Sequence, residues 1–243
     1  VQIIDIAAGS EFSAAVDCYG RVWSWGCGRT GQLGLGKKIN AQTQPALIEH
    51  FNYSQIHEQM SGVCCGYEHT VFLSKASCVW VCGSNAQAQL GVGPSSDHQV
   101  VPVVLPSLSN VREISTGHSH TVVLTSSGDL FSWGSGMYGQ LGHNDKKDQS
   151  TPKYIEALHG KFIKQVCCGA FHTLALTDLD NLYSWGRGSR YRLGHGEETQ
   201  DQLEPRIVDY LVGRTIHSVA AGYQHTLVLL TPEDDQQISS QNV

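Results

Sequence analysis

The sequence predicts an all-β chain built as a β-propeller of four-stranded blades. Three observations carry that reading. Glycine is in excess, 26 of 243 residues, which calls for many tight turns and therefore many short strands. A block of about 52 residues recurs along the chain with fixed internal spacing. No segment sustains the 3.6-residue period of an amphipathic helix, which sets a helical solenoid aside.

The repeat is anchored on glycines. Gly66-Tyr67-Glu68-His69-Thr70 returns as Gly117-His118-Ser119-His120-Thr121, as Gly169-Ala170-Phe171-His172-Thr173 and as Gly222-Tyr223-Gln224-His225-Thr226. A degenerate first copy begins at Gly9, with Ser13 in the Thr place. Seventeen residues after the first four of these glycines stand Gly26, Gly83, Gly134 and Gly186, preceded by Trp25, Cys82, Trp133 and Trp185. Eight residues further on, each after a leucine, stand Gly34, Gly91, Gly142 and Gly194. Successive units begin 57, 51, 52 and 53 residues apart.

Each unit resolves into strands. His120–Thr125 is β-branched and apolar, Ser126–Asp129 is turn-forming, and Leu130–Gly134 is a second strand, together a hairpin. Gly139-Gln140-Leu141-Gly142 makes a tight loop, Pro152–Ile155 reads as a short outer strand, and Lys161–Val166 leads into the next unit. Repeated four-stranded units of this length are the mark of a propeller.

These motifs, the G-x-x-H-[ST] strand, the W-G strand and the G-Q-L-G loop, resemble the repeat of the regulator-of-chromosome-condensation family. The resemblance covers residues 1–231. It implies a seven-bladed propeller, which at this repeat length needs about 364 residues. The chain holds four full units and part of a fifth; at the expected W-G of the fifth stand Ile238-Ser239. Three explanations are open: an excerpt of a longer protein, closure with a second chain, or a ring of fewer blades. The Val1 start and the ragged count favour the first as an expectation. Residues 232–243 are polar and acidic and read as a disordered tail.

Composition narrows function. The net charge is −6, with no Lys/Arg-rich patch, which argues against direct nucleic-acid binding. No apolar run is long enough for a membrane helix. Cys64-Cys65 and Cys167-Cys168 occupy the slots filled elsewhere by Ala7-Ala8, Ser115-Thr116 and Ala220-Ala221, so they read as small packed residues rather than zinc ligands. Reduced thiols point to cytoplasm or nucleus. The histidines His69, His120, His172 and His225 recur once per unit, which marks a structural device, expected to bond neighbouring backbone across blades. His143 and His195 read as loop residues. No P-loop, nucleophile elbow or paired carboxylates stand out, so the expectation is a non-enzyme without cofactor or metal.

The divergent loops after each L-G glycine are the candidate partner-binding face. They supply Lys37, Lys38, Asp97, Asp145, Lys146, Lys147, Asp148, Glu197 and Glu198. The longer first unit adds Phe51 and Tyr53 as a candidate protruding contact, with Glu58 beyond them; a longer outer strand accounts for the extra length equally well. The expected function is a protein-interaction module. The family resemblance supplies the alternative, nucleotide exchange on a Ran-type or other small GTPase, and extends the candidate partners to ubiquitin-system components.

Overall fold

The computed structural model describes residues 1–53, 58–94, 97–197 and 199–231. Within them lie four four-stranded antiparallel sheets and one two-stranded sheet, each a consecutive meander. Blade 1 is β1 (Ile3–Ala8), β2 (Phe12–Asp17), β3 (Val22–Gly28) and β4 (Ile39–Leu47). Blade 2 is β5 (Met60–Cys65), β6 (His69–Ser74), β7 (Val79–Ser84) and β8 (His98–Val104). Blade 3 is β9 (Val111–Thr116), β10 (His120–Thr125), β11 (Leu130–Gly134) and β12 (Gln149–Tyr154). Blade 4 is β13 (Ile163–Cys168), β14 (His172–Thr177), β15 (Leu182–Gly186) and β16 (Gln202–Ile207). Blade 5 is the pair β17 (Ile216–Ala221) and β18 (Thr226–Leu230).

The register repeats. His69 faces Gly83, His120 faces Gly134 and His172 faces Gly186 across the central hairpin of each blade. Those glycines take φ near +100°. At Gly134 a Cβ would stand 2.5 Å from the Ser119 carbonyl oxygen, so both the dihedral and the space demand glycine.

The second and third strands are fully buried in blade 2, while outer strands such as β4 and β12 hold only exposed and half-buried residues. Apolar residues gather in four layers between adjacent blades. Phe72, Trp80 and Met60 of blade 2 pack with Ala14, Val16 and Val22 of blade 1; Trp133 closes the next layer, and Trp185 the one after it. Leu174, Leu176 and Leu182 meet Val219, Val228 and Leu230 in the fourth. Trp80, Trp133 and Trp185 are buried in these layers, while Trp23 and Trp25 of the first blade are half-buried.

The extra residues of the first unit begin with a short helix, α1 (His50–Tyr53). Phe51, a candidate protruding contact, is instead 2% exposed and packs edge-on against Phe72 and Trp80 at centroid distances of 5.3 and 5.6 Å. The insertion turns its ring inward because the layer between blades 1 and 2 offers it an aromatic pocket. Glu58 likewise faces inward, accepting from Ser74 Oγ and Trp80 Nε1 at 2.6 and 3.2 Å. The side chain of Tyr53, residue 198 and the tail 232–243 lie outside the described residues.

Candidate functional face

Strand order fixes which loops share a face. In each meander the turn after the first strand and the loop after the third emerge on one side; the turn after the second and the link to the next blade emerge on the other. The G-x-x-H turns and the long loops carrying Lys37, Lys38, Asp97, Asp145, Lys146, Lys147, Asp148 and Glu197 therefore lie on one face. Phe51 and Tyr53 lie on the opposite one. Among the loop residues Asp145 is half-buried and the others are exposed.

Some of these residues also hold the scaffold. Asp148 Oδ1 accepts from Gly136 N at 2.8 Å and Asp145 Oδ1 from Lys147 N at 3.0 Å, closing the third loop on itself. Lys146 Nζ reaches across to Asp201 Oδ2 of blade 4 at 2.7 Å, a pairing that sequence spacing does not reveal.

The inner rim of the face is a collar of G-x-x-H turns. Ser10 N donates to Tyr67 O at 3.4 Å, Tyr67 N to His118 O at 3.1 Å, and His118 N to Ala170 O at 2.9 Å, so the turns bond from blade to blade. They line an open cleft of about 480 Å³, floored by Ala8, Cys65, Thr116, Cys168 and Ala221. Small residues stand at those five places because the inner strands converge there. On the collar lies an aromatic arc that the sequence reading missed. Tyr67 stacks on His118 at 4.1 Å, His118 on Phe171 at 5.2 Å, and Phe171 meets Tyr223 edge-on at 5.7 Å. Its signal in the sequence is the aromatic residues in the two variable places of G-x-x-H.

Beneath the collar runs a relay between blades. Gln89 O of one loop accepts Thr121 Oγ1–H at 3.0 Å and Trp133 Nε1–H at 2.9 Å from the next blade. Gln140 O accepts the equivalent pair, Thr173 and Trp185, at 2.8 and 2.9 Å. His69 Nε2 lies 3.1 Å from Thr121 Oγ1, His120 Nε2 3.1 Å from Thr173 Oγ1, and His172 Nε2 3.1 Å from Thr226 Oγ1. Each threonine has spent its one proton on a carbonyl, so its oxygen accepts from Nε2–H, which fixes the tautomer. The recurring histidine thus bonds a neighbouring hydroxyl, not the backbone expected from sequence. Burial holds these imidazoles neutral: the pKa falls to about 3 at His69 and His120 and to about 4 at His172, where Arg192 adds repulsion.

Two Ser–His pairs look nucleophilic in isolation. Ser132 Oγ lies 3.0 Å from His143 Nε2, and Ser184 Oγ 3.0 Å from His195 Nε2. Each serine donates its proton to a leucine carbonyl at 2.7 Å, Leu141 or Leu193, as Ser24 does to Leu33 without a histidine. The serine oxygen is therefore an acceptor for the imidazole N–H, and the pair is a loop fastening.

Comparison with known proteins agrees with this architecture. A family model described as the RCC1-like domain matches residues 1–228. The ultraviolet-B receptor UVR8 of Arabidopsis thaliana is 38% identical over 213 residues, 87% of this chain and 47% of the relative. Human E3 ubiquitin-protein ligase HERC2 is 33% identical over 94% of this chain and 5% of its own length. Human protein RCC2 is 31% identical over 92% of this chain and 47% of its own. The chain thus spans about half, or far less, of these relatives. Among solved structures, human WBSCR16 superposes with a TM-score of 0.82 at 26% identity, over 95% of this chain and 58% of that one. Prp20p of Saccharomyces cerevisiae superposes at 0.80 and 23% identity, over 98% and 59%, a likeness of fold. With its repeat, its blades and a family model spanning nearly all of it, the chain belongs to the RCC1-like domain family.

Proposed function

We propose that the propeller is a non-catalytic interaction module that docks a protein partner on its loop face. One observation carries the reading: a collar and relay fixed blade by blade support, on a single face, loops that differ in every blade. Repetition makes the frame rigid, and divergence on a rigid frame is where recognition concentrates. Lys37, Lys38, Lys146 and Lys147 supply exposed charge there. The relatives fit a docking role, because HERC2 is named a ligase and matches this chain over only 5% of its length. A cytoplasmic or nuclear setting belongs to the same reading.

The alternative is guanine-nucleotide exchange. Prp20p has binding properties toward Gsp1p and histones, and the likeness to that protein is one of fold. Exchange calls for a wedge, and Phe51 of the candidate insertion is core.

The test is partner capture by the intact chain. Charge reversal of Lys37, Lys38, Lys146 and Lys147 is expected to release the partner, while reversal of Lys75 and Lys161 on the opposite face retains it. Equal retention by both sets overturns the loop-face assignment. Acceleration of nucleotide release from a small GTPase by about tenfold, or ~1.4 kcal/mol of barrier, replaces docking with exchange.

A further inference from the structure

In the tight loop after the third strand, the fourth blade departs from the glutamine that the other three share. Three loops carry Gln32, Gln89 and Gln140, whose side-chain oxygens accept the N–H of Thr30, Gln87 and Tyr138 at 3.0, 2.8 and 2.8 Å. The fourth loop carries Arg192, which has no acceptor to offer. Its Nε donates to Ser189 O at 2.9 Å, with longer contacts to Ser189 Oγ at 3.4 Å and Tyr223 O at 3.5 Å. All three partners are neutral, yet the residue is only 4% exposed.

No carboxylate among the described residues forms an ion pair with Arg192, Arg190 or Arg187. Asp201, the acid whose field reaches Arg192, has its oxygens engaged by Lys146 Nζ and Gly188 N. Burial, then the charges of Arg187 and Arg190, lower the pKa of Arg192. A buried cation beside two like charges is a destabilising arrangement until an anion joins it.

Geometry marks the same spot. Arg190 has φ of 62°, a left-handed residue where the other loops place Thr30, Gln87 and Tyr138 outside that region, while Tyr191, at 56°, takes the left-handed place that Gly31, Ala88 and Gly139 fill. Such strain gathers at binding sites. Arg187 is oriented by rings, its guanidinium 4.6 Å from the Tyr138 centroid and 5.7 Å from Phe171. Tyr191 and Tyr223 stand alongside, 61% and 55% exposed.

We propose that Arg187, Arg190 and Arg192 form a carboxylate-binding site for an acidic protein segment, an extended peptide presenting Asp or Glu beside apolar side chains. The proposal rests on the docking reading and names the chemistry of the partner. Guanidinium forks pair bidentately with carboxylates, and the flanking tyrosines offer apolar contact. A nucleic acid fits less well: the chain carries a net charge of −6, and Glu11 and Glu68 lie on the same collar.

The experiment titrates the full chain with a fluorescein-labelled octapeptide alternating Asp with Leu and Phe, and with its Asn counterpart. Inorganic phosphate and a single-stranded oligonucleotide are competitors. Saturable binding of the acidic peptide is expected, weaker by about tenfold or more for the Asn peptide, for Arg190→Glu and for Arg192→Gln. Arg192→Gln installs the residue the other three loops carry, so its thermal unfolding should match or exceed that of the parent. Binding that survives both substitutions overturns the site, as does no binding of the acidic peptide. Displacement by the oligonucleotide at lower concentration than by free peptide assigns the arginines to nucleic acid and also overturns it. If the peptide fails while the four-lysine reversal still releases the partner, this site falls and the docking reading stands.

Discussion

Thr173 shows how much one hydroxyl holds. It gives its proton to Gln140 O and receives that of His120 Nε2, joining blades 3 and 4 through atoms with no access to water. Thr173→Val keeps the shape and leaves a buried imidazole N–H without its acceptor. The expected loss is about 1–3 kcal/mol by urea unfolding, with the fold retained. The histidines add a pH signature whose sign follows from their lowered pKa values. Above pH 6.5, the ordinary value, folded and unfolded imidazoles are both neutral, and their contribution is complete. As pH falls, the unfolded chain takes up protons that His69, His120 and His172 refuse until about 3 to 4. Stability should therefore decline from pH 6.5 downward, by ~1.4 kcal/mol per pH unit for each histidine in that window. Unfolding at pH 7.5 and pH 5 measures it, and replacing His120 by Gln should flatten the slope. Equal stability at both pH values in the parent would falsify the neutral-histidine relay.

At the scale of the blade, the glycines set the geometry of each hairpin. Gly134→Ala drives a Cβ to 2.5 Å from Ser119 O and 2.9 Å from His120 Cα, backbone atoms that cannot move without breaking the hairpin. Gly160 also has positive φ, at 77°, but nothing stands within 4 Å of its missing Cβ. Gly160→Ala should thus cost about 1–2 kcal/mol, the dihedral strain alone, and Gly134→Ala should cost more. Comparable losses in thermal melts of the two variants would refute the close-approach argument. This contrast explains why the blades were legible in the sequence. A residue forced by backbone contact recurs unchanged, so Gly26, Gly83, Gly134 and Gly186 announce the repeat. The aromatic arc was not legible, because Ser10, Tyr67, His118, Ala170 and Tyr223 fill one slot with residues of four kinds. Nor was the partner of each histidine, which sits 52 to 54 residues away on the next blade. Phe51 misled for a further reason: an apolar residue in an insertion reads alike whether it points out or in.

The whole arc is a stack rather than a sphere. Each of its four apolar layers is shared by two neighbouring blades, and every blade-to-blade bond of the relay spans one boundary. Such a structure holds its stability as a sum of local and nearest-neighbour contributions, so the interior blades should outlast the flanks. The burial pattern gives the order. Every residue of β6, β10 and β14 is buried, whereas β18 alternates exposed and half-buried residues, with Leu227 and Leu229 at 63% and 57% exposure. At the other flank β1 carries Ile4 and Ile6 at 48% and 74%. Native-state hydrogen exchange of the 243-residue chain should therefore show a gradient. Amides of β6, β10 and β14 should exchange slowest, and those of β1 and β18 fastest. Binding at Arg192 should slow β18 selectively, because Arg192 reaches Tyr223 O and its own carbonyl accepts the Thr226 hydroxyl of β18. Uniform protection from β1 to β18 would show that the blades unfold as one unit, and the additive description would then fail. A gradient whose slow end sits at β1 or β18 would place the cohesion of the arc outside the four layers that the structure describes.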